Sequence, residues 1–518
     1  MSLQHLRTIR VVVSILFFLS IAFLFLDVGN HVPPSASTFL VSLQFIPSFV
    51  KLFGLFGISA VGIAVVLLLT MTFGRVYCSS ICPLGTLQDV LIFTFNRIKG
   101  KRRFRYKRTN DAIHYAILGI TILSGLGGSL VLVDVLDPFS NFGKVATNIA
   151  RPIILFVNNA AAGVLNDAQI YTLYQIPNPA LPLAVVVFSS LFLLLVLYLC
   201  IDQGRLFCNL LCPVGALLKI LSRYSLYRLV ISTPACKDCG LCEKVCKARC
   251  IDSKARRLDF GSCISCFNCI DVCPTAGIVY DGFRRRRSVT QNAAHDSSRR
   301  KVVGSMASAL VLAGTSAVTG KGPIDSLKTS SAGKKVPITP PGSLSLVRFS
   351  QLCTACHLCV SACPTQVICP SFFEYGIQGI FQPSLNYATG YCKYDCNLCS
   401  LVCPSGAIAP VAIEAKKEIQ LGKARFVKDD CIVVAKKTEC GACSEHCPTK
   451  AVSMVPYEKL LLPELNNDIC VGCGACERAC PTKPAKAIYV ESNPVHLRAK
   501  KPQVKKLEPE AGTQEFPF

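Results

Sequence analysis

Long apolar runs fill the first 200 residues of this chain and are almost missing from the rest. Residues 11–26 form the first run, with Arg7 and Arg10 just ahead of it; residues 52–73, 112–133 and 183–201 form three more. About 20 apolar helical residues cross a bilayer core, and lipid favours helices because it offers no partner to an unpaired backbone amide. The pattern therefore predicts an α-helical membrane domain of four spans. Between the third and fourth, residues 152–165 are apolar enough to lie along the outer membrane surface. Much later, the weakly apolar run 302–320 is a candidate fifth span.

Charge fixes the expected direction of each crossing. Residues 97–108 carry eight Lys or Arg and no acid, whereas the loop leading to Pro182 has two basic residues, Lys144 and Arg151, and three acids. Basic loops stay in the cytoplasm, so the amino end, the 97–108 loop and the region from the fourth span to Lys301 are expected inside. No small-residue cleavage site comes after the first run, which reads as an anchor rather than a removed signal peptide. Arg284, Arg285, Arg286 and Arg287, then Arg299, Arg300 and Lys301, precede the uncharged run 302–320. That order carries the chain beyond the run across the membrane. Residues 298–303 also resemble a twin-arginine export signal, without its usual Phe-Leu-Lys continuation. The plainer alternative is a flexible Gly/Ser/Thr-rich linker. A formal charge of +24 raises nucleic-acid binding as an idea, but membrane orientation accounts for the basic residues and no nucleic-acid partner is expected.

Thirty-one cysteines bring in the chemistry. Their grouping in C-x2-C and C-x3-C-P sets places thiolates too close for routine disulfides and well for metal clusters. Cys236, Cys239, Cys242 and Cys246 form one C-x2-C-x2-C-x3-C run; Cys263, Cys266, Cys269 and Cys273 form another. In a two-cluster ferredoxin the fourth cysteine of each run binds the other cluster. Cys236, Cys239, Cys242 and Cys273 are thus expected to hold one [4Fe-4S] cluster, and Cys263, Cys266, Cys269 and Cys246 the other. Lys247 stands where proline would follow Cys246, and Cys250 offers a competing thiol. Beyond a Pro/Gly/Ser-rich tether ending near Ser345 come four further sets. They are Cys353, Cys356, Cys359 and Cys363; Cys392, Cys396, Cys399 and Cys403; Cys431, Cys440, Cys443 and Cys447; and Cys470, Cys473, Cys476 and Cys480. These spacings predict six [4Fe-4S] clusters in two α+β ferredoxin-like domains. Nested sharing is expected in the second domain, the first set with the fourth and the second with the third. Cys369 is left over as a structural thiol.

The membrane region contains an internal repeat. Gly74-Arg75-Val76-Tyr77-Cys78 and Cys82-Pro83-Leu84-Gly85 recur, 130 residues on, as Gly204-Arg205-Leu206-Phe207-Cys208 and Cys212-Pro213-Val214-Gly215. Both copies come after a span running in the same direction, so Cys78, Cys82, Cys208 and Cys212 are expected to approach one another. Four thiolates can make a seventh iron-sulfur cluster or a four-cysteine metal site; the alternative is two structural or redox-active thiol pairs. Arg75 and Arg205 are candidates for stabilising thiolates there. Cys200 reads as a small buried apolar residue. His114 stands alone in the membrane runs, which argues against a bis-histidine haem and leaves an interfacial or core role, or quinone protonation.

Four spans, two C-x3-C-P motifs and a two-cluster ferredoxin make residues 1–283 resemble the NapH-type quinol dehydrogenase subunit. Residues 299–518, with a twin-arginine-like start and four cysteine sets, resemble the NapG/MauM ferredoxin-type subunit. The expected organisation is a membrane domain (1–222), a cytoplasmic two-cluster domain (223–283), a basic linker with its apolar segment and tether (284–345), and a periplasmic four-cluster domain (346–518). The resemblance implies a multi-pass protein of the bacterial cytoplasmic membrane that oxidises quinol from the membrane quinone pool. Electrons would pass to a periplasmic reductase or multihaem cytochrome. Two alternatives stay open: a conduit fed by a soluble reductant in the cytoplasm, and a redox assembly factor for another metalloenzyme. No triad, phosphate-binding loop or dinucleotide fingerprint offers other catalytic chemistry, so no catalytic residue is assigned.

Overall fold

The computed structural model describes residues 4–27, 29, 31–54, 59–98, 100, 104–107, 109–176, 181–282 and 336–501. The arginine-rich segment, the candidate fifth span 302–320 and the twin-arginine-like sequence lie outside the described residues.

The most apolar runs fold as the longest helices. The first and fourth expected spans are α1 (Gln4–Leu26) and, further on, a helix over Leu183–Gln203. The second is broken. After α2 (Pro34–Ser42), α3 (Phe45–Gly54) sets off at 95° to it, and α4 (Ser59–Phe73) supplies only 15 residues. Pro47 lies in the first turn of α3, where its missing N–H breaks no ladder. Two short helices, α5 (Val76–Ser80) and α6 (Pro83–Ile98), then carry the first repeated motif. The third expected span, α7 (Asp111–Leu126), stops short at the glycine pair Gly127 and Gly128, the latter at φ +79°. A brief α8 (Val131–Leu136) comes next. Asp137 caps α9 (Pro138–Val145), which passes through a π-helical turn at Ala146–Ala150 into α10 (Arg151–Asp167). The stretch expected to lie on the surface is therefore part of a continuous 30-residue helix, long and apolar enough to cross a membrane. With α1 and α11 (Leu183–Gln203), three described helices meet that criterion, or four if the bent α2–α3 pair makes one span. A second π-helical turn, Phe207–Leu211, and α12 (Pro213–Ser222) carry the second motif.

The cysteine-rich parts are built of two-stranded antiparallel sheets and single-turn helices. In the first, β1 (Tyr227–Ile231) pairs with β4 (Ile278–Gly282) around a small β2 (Ile251–Asp252) and β3 (Arg257–Leu258) ribbon. In the second, β5 (Ile368–Pro370) pairs with β6 (Pro383–Leu385), β7 (Ile419–Phe426) with β10 (Ile488–Arg498), and β8 (Val452–Tyr457) with β9 (Leu460–Leu465).

The two cysteine-rich domains dock at opposite ends of the long helices. At the start of α1, Arg7 pairs with Asp271 of the first domain. Near its end, Phe25 meets Gly143 of α9, against which the carbonyl of Cys356 in the second domain is pressed. The helix α11 runs the other way. Its first turns bring Phe188 to 4.3 Å from the ring of Phe381 in the second domain, and its end brings Gln203 to Arg249 in the first. One continuous buried core contains Cys263 and Cys269, the repeated cysteines, and Cys356 with Leu358.

Candidate metal centres

The repeated motif explains itself residue by residue. Gly74 and Gly204 adopt left-handed φ of +80° and +66°, which reverse the chain after α4 and α11. Each motif then folds back into the membrane domain rather than staying at the end of its span. Thr86, one turn beyond Cys82, meets Ser14 at 3.0 Å in the middle of α1. At 1.5 Å of rise per residue, Ser14 lies about 10 Å along α1 from Arg7 and about 17 Å from Phe25. The four cysteines therefore sit between the two docked domains.

Cys78, Cys82, Cys208 and Cys212 are each at most 6% exposed. Arg75 and Arg205, both fully buried, cross between the repeats. Arg75 donates to the carbonyl of Cys208 at 2.9 Å and to Asn209 Oδ1 at 2.6 Å; Arg205 donates to the carbonyl of Cys78 at 2.6 Å. A Cβ at Gly85 would lie 2.2 Å from the Cys78 carbonyl, and one at Gly215 would lie 2.1 Å from that of Cys208. This close approach is the physical content of the Cys-Pro-x-Gly ending. The Gly215 amide donates to Cys212 Sγ at 3.3 Å, and Gln88 Nε2 to Cys208 Sγ at 3.6 Å. Such donors stabilise metal-bound thiolates. Among the described residues no three Cys, His, Asp or Glu side chains converge tightly enough for a single metal ion, in this quartet or in any ferredoxin-type set. The donor set is all thiolate, which suits an iron-sulfur cluster or a four-cysteine metal site.

The quartet touches the first cysteine-rich domain directly. Arg75 reaches the Gly261 carbonyl, Asn209 Nδ2 donates to the Ser262 carbonyl at 3.1 Å, and the Arg205 amide donates to the Lys247 carbonyl at 2.9 Å. Asp89 of α6 gathers Arg205, Lys247 and Arg10 from three different elements. Burial opposes ionisation of Asp89, but Arg205, Lys247 and Arg10 together hold it well below the usual carboxylate range. Within that domain Cys246 lies electrostatically with Cys263, Cys266 and Cys269, and Cys273 with Cys236, Cys239 and Cys242. Cys250, the competing thiol, sits 3.6 Å from Cys246 Sγ. Its hydrogen bond is the largest of the effects that bring the Cys246 thiol down to about 7.

In the second domain the nested sharing is not what forms. One cavity is lined by Cys392, Cys396, Cys399 and Cys363, and Cys403 faces Cys353, Cys356 and Cys359. A second cavity is lined by Cys470, Cys473, Cys476 and Cys447, and a third by Cys431, Cys440, Cys443 and Cys480. Neighbouring sets along the chain exchange their fourth cysteines, as in two consecutive ferredoxin units. The expected exchange was between distant sets; a fourth cysteine ending one single-turn helix reaches only the set folded beside it. The two pairs join where the Cys392 amide donates to the Cys473 carbonyl at 2.9 Å. The resulting order is the Cys353 set, the Cys392 set, the Cys470 set and the Cys431 set, with the Cys353 set against the membrane domain.

Cys200 is buried, and Cys369 bonds to Gln366 and Thr389 rather than to another cysteine. His114 donates to the Cys212 carbonyl at 3.0 Å, so it braces the quartet. Spacing missed Asp89, Gln88, Lys144 and Arg151. Of these only Asp89 carries a signal, as an acid one and a half turns beyond a Cys-Pro.

The 4Fe-4S binding domain family matches residues 53–103 and 183–233, one copy over each repeated motif, and the 4Fe-4S dicluster domain family matches residues 436–484. YccM, a putative electron transport protein of Escherichia coli, is 23% identical over 212 residues, 40% of this chain and 52% of its own length. The methylamine utilization ferredoxin-type protein MauM of Methylophilus methylotrophus is 29% identical over 185 residues, 34% of this chain and 79% of its own. The ferredoxin-type protein NapH of Haemophilus influenzae is 25% identical over 226 residues, 42% of this chain and 66% of its own. The chain spans about half the length of YccM and 40% of an uncharacterised Methanocaldococcus jannaschii protein that it also matches. No solved structure matches it. The chain is thus similar to NapH- and MauM-type ferredoxin-type proteins and carries matches to 4Fe-4S binding domains.

Proposed function

We propose that this protein carries electrons from quinol in a bacterial cytoplasmic membrane to a periplasmic reductase or multihaem cytochrome. The observation that supports it is the placement of the cysteine quartet beside Ser14, between domains held at the two ends of α1. A hydrocarbon core about 30 Å thick is too wide for one direct step between ferredoxin domains on its two faces; the quartet divides that distance. A [4Fe-4S] cluster held by each of the seven cysteine sets would exchange one electron at a time. The residues around the sets provide the rest. Arg75 and Arg205 hold the two repeats together, His114 ties α7 to the second, and Gln88 and Gly215 donate to sulfur. The apolar core encloses the quartet and the nearest cysteines of each flanking domain.

A second reading, a conduit fed by a soluble reductant, is favoured by one feature. Cys239 is exposed and Cys236 and Cys242 half-buried, so this set of the first domain is open to solvent and would be accessible to a soluble donor. Purified protein in lipid discs, given a quinol or a soluble low-potential donor under anaerobic conditions, separates the two. Cluster reduction by quinol is expected. Reduction by the soluble donor alone would remove the quinol reading and leave the second.

A further inference from the structure

Lys144 is a buried cation of the membrane domain at its contact with the second cysteine-rich domain. It lies in the last turn of α9 and is 1% exposed. Its ammonium donates to the main-chain carbonyl of Asp134 and faces the rings of Phe381 at 4.7 Å and Phe188 at 5.7 Å. Among the described residues it makes no ion pair with a carboxylate. Its neighbouring acids are Asp134, which is fully buried, and Asp137, which is committed to capping α9 through Phe139 and Ser140. Lys144 also acts electrostatically on Cys356 and Cys353.

The placement is rigid. Around Lys144, one face of the helix grips the single turn Leu358–Ser361 that presents Cys359. A Cβ at Gly143 would fall 2.2 Å from the carbonyl of Cys356, so the backbones are in contact. Thr147 meets Ser361 Oγ at 3.0 Å, Arg151 donates to the Ser361 carbonyl, and Asn148 Nδ2 donates to His357 Nδ1 at 3.4 Å. His357 Nε2 in turn donates to the Phe381 carbonyl at 2.8 Å. A buried ammonium with no carboxylate in contact is costly unless another negative group compensates it. Asp134 and Asp137 offset part of that cost, and four metal-bound thiolates across the contact would supply the rest.

We infer that Lys144 is the counter-charge that the membrane domain lends to the centre of Cys353, Cys356, Cys359 and Cys403, and that it raises the reduction potential of that centre alone. The inference rests on the iron-sulfur reading and on that grouping of cysteines. Reduction adds one electron, and so one negative charge, to the centre; no bond forms or breaks and no proton moves. A fixed positive charge lowers the energy of the more negative state, which makes the centre facing the quartet the better electron acceptor.

Potentiometric titration of the full-length protein, followed by electron paramagnetic resonance, reads the effect. Lys144→Gln should move one cluster signal to lower potential with iron and sulfide per chain unchanged, and Lys144→Arg should restore it. Unmoved potentials in Lys144→Gln at full iron content would overturn the inference. If Lys144→Gln loses iron, Lys144→Met, which keeps the apolar stem without the charge, decides: at full iron content it should lower the same signal, and no shift, or a shift that Lys144→Arg fails to reverse, would overturn the inference. A wild-type protein one cluster short in this domain would overturn both the inference and the grouping it rests on.

Discussion

Arg75 donates a 2.9 Å hydrogen bond to the main-chain carbonyl of Cys208, which lies in the other copy of the repeat. Arg205 returns the contact to Cys78. The exchange is not symmetric in charge. Arg205 has Asp89 as an ion-pair partner, whereas Arg75 meets only Asn209, two carbonyls and the sulfur of Cys78 at 3.9 Å among the described residues. A buried guanidinium without a carboxylate needs negative charge from another source. Thiolates of the quartet, held ionised by a metal, supply it, so the asymmetry supports a loaded quartet over two neutral thiol pairs.

Cys82→Ser and Cys212→Ser should therefore each abolish quinol-dependent reduction of the outer-domain clusters while the six ferredoxin-type sets still load. The check is quinol-driven bleaching of cluster absorbance beside anaerobic iron analysis. Unchanged electron delivery in both variants would make the motif structural.

Iron content tests the same point without activity. A fully loaded chain should hold about 28 irons, or about 24 if the quartet is empty, at four irons per cluster. Cys250→Ser and Cys369→Ser should leave the count where it is, because other cysteines complete each set. Cys239→Ser should lower it by one cluster.

Gly85→Ala and Gly215→Ala place a methyl within 2.2 Å and 2.1 Å of a carbonyl in the opposing turn. Overpacking of this kind costs about 1–3 kcal/mol. Each variant should melt at lower temperature and lose the iron beyond the six ferredoxin-type sets. Gly163→Ala, where a Cβ meets nothing, is the control and should behave as wild type.

Much of the site is legible along the chain, and the reason is periodicity. Ferredoxin spacing selects Cys246 over Cys250, and the repeat alone brings Cys78 and Cys208 together. What spacing does not convey is depth and partnership. The motifs fold back beside Ser14 because of glycines at positive φ, and a sequence records the glycine but not the direction of the turn. The sharing of Cys363 with the Cys392 set depends on which single-turn helices lie side by side. As sequence, Lys144 and Arg151 are two charges of an outer loop; burial against the second domain gives them their role, and burial at an interface leaves no local pattern.

Asp89 holds three elements at once, so its neutralisation should be felt across the domain boundary. Asp89→Asn strands Arg10, Arg205 and Lys247, and losing one partner of a buried charge cluster costs about 3–5 kcal/mol. A carboxyl held below its usual range stabilises fully above its unfolded value, about pH 4, and loses that contribution only as pH falls further. The drop in melting temperature on Asp89→Asn should therefore be equal at pH 6 and pH 8. A drop that changed between them would assign the effect to another titrating group.

The docking of the two domains at opposite ends of α1 makes their compartments a joint question. Arg105, whose carbonyl accepts from Arg249 of the first domain at 2.8 Å, belongs to the end expected in the cytoplasm. Reporter fusions at Arg105 and at Gln514 should give opposite compartment signals. A folded domain with four clusters cannot thread a channel built for unfolded chain, so its crossing should depend on Arg299 and Arg300. Replacing both by lysine should leave the Gln514 reporter inside. Stranded there, the Cys353 set could not reach Gly143 and Lys144 at the far end of α1, and quinol should no longer reduce the outer-domain clusters even at full iron content. The same compartment for both wild-type reporters would put every cluster on one face and remove the need for a quartet between them.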